Sequence, residues 1–336
     1  MTVGRTNTGG MPPCLSSNDN PNYILQRKNH YVFPNVPAMM ENIVAVSEHI
    51  KGKVADPMRQ ALTVITTHDG KLYAEVDGNF WAACLFISGS KCYDRANSTK
   101  LARQGGAGIG RFQTLLADFN KPLYETIKGF HNIRHRFEQW DAAVAADAAG
   151  RVAELTEEIS WIASRREQML AFWSLVENGT IPTRVTHNDT KISNILFDQA
   201  TDEVLCVIDL DTVMSSTSLN DFGDAIRSYT NTGAEDDKDL SRVSMDLDMF
   251  RAYAEGFLSE RKSTMTASEL EWLAFSGLYI TYEQVLRFLM DYIDGDKYYR
   301  IHYPSHNLVR THAQYKLLQS MEEQYAQMQS IIKILS

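Results

Sequence analysis

The sequence predicts an α+β fold in two lobes, a small β-rich lobe over residues 1–88 and a larger, mainly helical lobe over residues 89–336. Three observations predict it. Short β-like runs punctuated by Asp-Gly pairs are confined to the N-terminal part of the chain. From about residue 100 onward, apolar residues recur at helical spacing. One β island, 195–211, interrupts the helical part directly behind a stretch dense in acids and amides.

Residues 1–22, MTVGRTNTGGMPPCLSSNDNPN, are rich in Gly, Pro, Ser and Asn, carry neither period and read as loop. Tyr23–Asn29 is a short strand. A helix follows from Val36 to Ile50, because Met39, Met40, Ile43, Val44 and Ile50 fall on one helical face. Three strands come next: ALTVITT (61–67), LYAEV (72–76) and FWAACLFI (80–87). The Asp69-Gly70 and Asp77-Gly78 pairs between them are expected as hairpin turns. A hinge lies at residues 86–90, around Ser88-Gly89-Ser90. Helices are expected at roughly 100–118, 134–148, 152–177, 246–259, 267–292 and 309–333.

Composition narrows the function classes. The chain has 336 residues, with 33 Lys plus Arg against 42 Asp plus Glu, for a net charge of -9. No basic tail or stripe appears, which argues against nucleic acid as a partner. The apolar run near Phe80 to Ile87 is too short to span a bilayer, so no membrane association is expected. The four cysteines, Cys14, Cys84, Cys92 and Cys206, form no C-x-x-C pair and fit a reducing cytoplasm. The five tryptophans form no binding stripe and read as core. The sequence shows no obligate protein partner.

The stretch Arg184 to Asp198 reads RVTHNDTKISNILFD. Its His187-x-Asp189-x4-Asn194 spacing matches a kinase catalytic loop. Phosphoryl transfer needs positioning and charge neutralisation more than covalent help. Asp189 is the candidate base for the attacking hydroxyl, and Asn194 a candidate oxygen ligand for magnesium. A second ligand should be a carboxylate at a nearby strand end. The literal Asp-Phe-Gly at Asp221 to Gly223 follows a polar loop and opens a helix, so Asp221 reads as a helix-terminus acid. Asp209 ends an apolar strand that pairs with 195–198 through a turn at Asp202, which returns it beside Asn194. Asp209 is therefore the expected ligand. His187 is expected to organise the loop, and Lys191 to attract phosphate.

Taken together, THNDTKISNILFD, CVIDLDTVM, LNDFGDAIRSYT, FRAYAEGF and YPSHNLVRT resemble the aminoglycoside phosphotransferase and choline kinase group and, within it, the N-acetylhexosamine 1-kinases. The resemblance covers nearly all of residues 22–330. It implies a protein-kinase-like fold, with ATP and Mg2+ as cofactors and a small-molecule sugar as partner. The implied reaction carries the γ-phosphate to the anomeric hydroxyl of N-acetylglucosamine or N-acetylgalactosamine. Matched residue by residue, it assigns Asp189 as base and Asn194 and Asp209 as metal ligands. Asp211, Thr212, Arg287 and Tyr298 fall on the sugar side, and Phe86, Ile87, Ser88 and Gly89 at the adenine hinge.

Other readings stand beside these. Arg287 is also placed for an i,i+4 pair with Asp291, Asp211 for a turn cap, and Tyr298 for packing on the core. Asn188 replaces the arginine that reads a phosphorylated activation loop in protein kinases, which favours a small hydroxylated acceptor. Choline, homoserine and an aminoglycoside are the alternatives to a sugar. The glycine-containing hairpin of the family has no counterpart in residues 1–22, which sustains a further alternative, a nucleotide- or sugar-binding protein with impaired catalysis. Gln26 stands where a strand lysine is expected. Lys28 shares its face and is the candidate substitute for nucleotide binding.

Overall fold

The structure is a computed structural model that describes residues 22–336. The loop expected at 1–22, with its GRTNTGGM cluster, lies but for Asn22 outside the described residues. In chain order the first lobe comprises β1 (Tyr23–Lys28), α1 (Val36–Lys51), a single helical turn α2 (Pro57–Gln60), β2 (Val64–Ile65), β3 (Ala74–Val76) and β4 (Asn79–Leu85). α1 starts because the Asn35 side chain accepts from the Ala38 amide and Pro37 sits in the first turn. β1 runs antiparallel to β4, Tyr23 opposite Leu85 and Lys28 opposite Phe80.

One turn behaves otherwise than expected. Asp77-Gly78 makes a tight hairpin between β3 and β4, with φ 50 and 69. Asp69-Gly70 does not join paired strands. β2 and β3 both lie along the same edge of β4, against Ala83–Cys84 and Asn79–Trp81. They are successive segments of one edge, and Asp69-Gly70 closes a loop that leaves and rejoins it, tied by the Thr67 amide to the Lys71 carbonyl at 2.8 Å. The strands expected over 61–67 and 72–76 shorten accordingly.

The second lobe comprises β5 (Ser90–Lys91), α3 (Thr99–Leu115), α4 (Ile133–Ala146), α5 (Thr156–Glu177), β6 (Arg184–Thr186), β7 (Ile195–Asp198), β8 (Val204–Val207), β9 (Met214–Ser216), α6 (Ser218–Tyr229), α7 (Leu247–Arg261), α8 (Ala267–Ile293), α9 (His306–Glu323) and α10 (Tyr325–Leu335). Two sequence expectations are corrected. The helix at 309–333 is two helices that meet at Gln324, whose side-chain Nε2 donates to the Met245 carbonyl. The helix from 152 opens with a 3-10 turn over Val152–Glu154, and α5 begins at Thr156.

α8 is the central post, buried nearly all round. A Thr266–Glu269 capping box starts it, and the same buried Glu269 takes Arg184 and Ser218. α3 crosses α7 with backbones almost touching: a Cβ on Gly256 would lie 1.9 Å from the Arg103 carbonyl oxygen. The core around Phe222, Phe250, Tyr253 and Phe257 is fully buried, and each such ring contributes about 1.5–3 kcal/mol of burial. Among the described residues no helix is long and apolar enough to cross a membrane.

Candidate active site

The loop between β6 and β7 is built by hydrogen bonds from three sides. Asp221, in the first turn of α6, accepts the amides of His187 and Asn188 at 3.0 and 2.7 Å and the Gln113 side chain at 2.8 Å. Asp224, one turn on, accepts the Thr190 amide at 2.8 Å. From the opposite side, Thr212 Oγ1 donates to the His187 carbonyl, and Asn188 Nδ2 donates to the Thr212 carbonyl. His187 Nε2 donates to the Ile208 carbonyl just past β8 at 2.8 Å, and inside the loop Nδ1 accepts the Asp189 amide at 3.2 Å. The His187 ring is thus spent on organising the loop. Asn188 and Asp209 both have left-handed backbone, φ 66 and 61. Such residues persist only where surroundings over-determine them.

These supports bring the acids together. Asp189 Oδ2 accepts from Lys191 Nζ at 2.6 Å and Asn194 Nδ2 at 2.9 Å. Burial pushes its carboxyl up, but the Lys191 ammonium and the Asn194 amide outweigh that and hold it below the usual carboxylate range. Asn194 Nδ2 also donates to the Asp189 carbonyl, which leaves the amide oxygen for another partner. The β7–β8 hairpin, Ile195 opposite Val207, returns Asp209 beside Asn194, whose carbonyl accepts the Ile208 amide at 2.9 Å. The Asp209 carboxylate caps nothing in the turn it opens. Burial, then Asp211 and Asp189, push it up to about 6.

Lys28 is buried and reaches from β1 across the lobe boundary to Asp211, Nζ to Oδ1 2.7 Å. Burial pulls its ammonium down, but Asp211 and Asp209 raise it above its ordinary value, so it stays charged. Asp211 faces this lysine and does not act as a turn cap.

Three His, Cys, Asp or Glu side chains that could cage a metal are not found together among the described residues. Magnesium needs fewer from a protein: one or two carboxylates, with phosphates and water completing the shell. The unspent Asn194 oxygen and the uncapped, crowded Asp209 carboxylate fit that demand.

Over residues 86–90, the Phe86 amide donates to the Asn22 carbonyl, Ser90 Oγ donates to the Ile87 carbonyl, and the Gly89 carbonyl accepts the Gln199 amide. Ser88 and Gly89 are exposed, and Gly89 takes φ 67. Ile87 packs with Leu196, Leu205, Cys206 and Ile208 in a small apolar cluster apart from the main core.

Arg287 and Tyr298 form a second group. The Arg287 guanidinium lies 5.4–5.7 Å from the ring centroids of Phe130, Tyr298 and Tyr299. It is 9% exposed and is not paired with Asp291. That carboxylate instead accepts the amides of Tyr298 and Tyr299 and the Asn307 side chain at 2.7–2.9 Å. Tyr298 is 41% exposed, so it is not core packing. Sequence reasoning missed Asp224 and gave Asp221 too small a part, since their partners lie more than thirty residues away along the chain; it weighed Asp291 only against Arg287, whereas Asp291 holds the loop that follows α8. A cavity of about 310 Å³ lies elsewhere, behind β6 and the C-terminal end of α3, lined by Gln113, Phe119, Lys121 and Arg184.

A kinase-like two-lobed fold with an acid, an amide and a strand-end carboxylate on one loop and hairpin defines a small-molecule phosphotransferase acting on hydroxyl groups. The chain belongs to the APH phosphotransferase enzyme family, whose sequence model matches residues 15–255. Solved structures share the fold. A microcompartment-associated aminopropanol kinase superposes with TM-score 0.65 at 13% identity, over 97% of this chain and 96% of that one. An aminoglycoside phosphotransferase from Alicyclobacillus acidocaldarius gives 0.62 at 12%, over 99% and 94%. A choline/ethanolamine kinase family protein from Mesorhizobium loti gives 0.53 at 10%, over 93% and 87%.

Proposed function

We propose that this phosphotransferase moves the γ-phosphate of ATP to the anomeric C1 hydroxyl of an N-acetylhexosamine, giving the sugar 1-phosphate. The observation that carries the acceptor side is the buried Arg287 among three aromatic rings. A fixed guanidinium repels the ammonium groups of choline and aminoglycosides and donates to oxygen. The exposed Tyr298 beside it offers an aromatic face to a sugar ring. In this reading Asp189 takes the proton of the attacking hydroxyl, and Lys191 turns from Asp189 to the transferring phosphate. Lys28 meets the phosphates from above, and the cluster around Ile87 supports adenine at Phe86–Gly89. Asn194 and Asp209 would hold magnesium, which when bound neutralises phosphate charge. We place the reaction in the cytoplasm.

The test is ADP release with ATP and magnesium over free sugars, choline, homoserine and aminoglycosides, with the product checked for acid-labile phosphate. Turnover on N-acetylhexosamines with that lability is expected. Turnover confined to an amino alcohol or aminoglycoside would overturn the acceptor, and binding without turnover on any acceptor would overturn the activity.

A further inference from the structure

His131 occupies the turn before α4 with φ 58, in the left-handed region. α8 holds it there twice. Tyr279 Oη donates to the His131 carbonyl at 2.7 Å, and Glu283, one turn further along, meets the ring Nδ1 at 2.6 Å. The other ring nitrogen, Nε2, lies 3.2 Å from the carbonyl oxygen of Asn188. An ionised carboxylate and a peptide carbonyl only accept hydrogen bonds, so both ring nitrogens must carry a hydrogen.

We propose that His131 is held as an imidazolium that clamps the Asn188–Asp189 peptide and thereby positions the Asp189 carboxylate. The peptide is gripped at both ends, its carbonyl by His131 Nε2 and its N–H by His187 Nδ1. The grip is needed because Asn188 is left-handed and the peptide that follows it sets where Asp189 points. His131 is a positioning residue, not a group that meets substrate.

The surroundings sustain the charge. Glu283 and Arg287 of α8 and Asp224 of α6 face the ring, and Arg136 of α4 binds the other oxygen of Glu283 at 3.2 Å. Burial lowers the imidazole, but Glu283 and then Asp224 outweigh burial and Arg287 and hold it above its ordinary value. A raised value means the charged clamp persists to higher pH than a free imidazole would and is lost as pH rises through it.

The positioning role rests on Asp189 being the base of the proposed reaction; the protonation of the ring does not. The first measurement is therefore the ring nitrogen shifts of full-length protein labelled with 15N-histidine, assigned by their loss in His131→Gln. Both nitrogens at protonated shifts at pH 7.5 is expected; one bare nitrogen would overturn the imidazolium. The second is kinetics with N-acetylglucosamine, or with water as phosphate acceptor if no sugar is turned over. His131→Leu should lower kcat about tenfold or more with ATP KM within about threefold, and His131→Gln, which restores a neutral donor toward Asn188, should recover part of it. Wild-type kcat should also fall at a pH where His131→Gln stays flat. A folded His131→Leu with unchanged kcat, or identical pH profiles for wild type and His131→Gln, would overturn the clamp. If His131→Leu does not fold, the His131→Gln profile decides.

Discussion

At the scale of single residues, the two acids of the site sit in opposite electrostatic surroundings. Asp189 is held ionised by Lys191 and Asn194. Asp189→Asn keeps the shape and removes the proposed proton acceptor, so kcat should fall about a hundredfold or more with nucleotide binding retained, by single-turnover kinetics and calorimetry. Asp209 is the opposite case. Its carboxyl is raised from 3.8 to about 6, so within that window the folded state keeps a proton that the unfolded state has lost. The contribution of this carboxyl to stability therefore falls as pH rises from about 4 to about 6 and stays lower above it. Asp209→Asn should remove that dependence and melt higher than wild type above pH 6 in EDTA, while losing magnesium-dependent ATP binding. Melting curves that coincide at every pH would refute the assignment of strain to this carboxyl.

At the scale of elements, backbone approach sets the tolerances. α3 meets α7 through glycines, and a methyl on Gly256 has the Arg103 carbonyl in its way. Gly256→Ala should cost about 1–3 kcal/mol of overpacking strain, read as a melting point several degrees lower with KM unchanged. The helices were legible because apolar periodicity is local; in the structure Asn35, Asn132, Asp246 and Thr266 each cap a helix from the residue before it. The break at Gln324 was not legible, for no Gly or Pro marks it. Asp69-Gly70 misled for a related reason. The dipeptide specifies a reversal of the chain, whereas β4 decides which strands meet across it.

At the scale of the whole molecule, Lys28 ties the lobes together, with Asn42 donating to the Val213 and Tyr124 carbonyls and Arg59 meeting Asp198 at 3.0 Å. Lys28→Ala leaves Asp211 buried and unpaired, a loss of about 3–5 kcal/mol. It should also raise ATP KM about tenfold if the ammonium meets phosphate. Adding Asp211→Asn should restore the melting temperature but not KM; recovery of both would make Lys28 a structural tie alone. The motif that carries Asp189, Asn194 and Asp209 is compact in sequence, so the chain displays it. The contacts that hold it are not. Asp221 and Glu283 find their partners 33 and 152 residues away, and only the folded topology brings them together.

Asp291 pins the loop that bears Tyr298 to the end of α8, with Asn307 bridging to Asp296 and Arg151 closing the ring. None of these bonds touches the loop of Asp189. The segment between α8 and α9 is thus anchored independently of the phosphate chemistry, like a tool head on a fixed spindle. If Tyr298 faces the acceptor as proposed, the exposed residues of this segment can be exchanged, and the hydroxyl compound admitted changed, while the loop of Asp189 keeps its geometry.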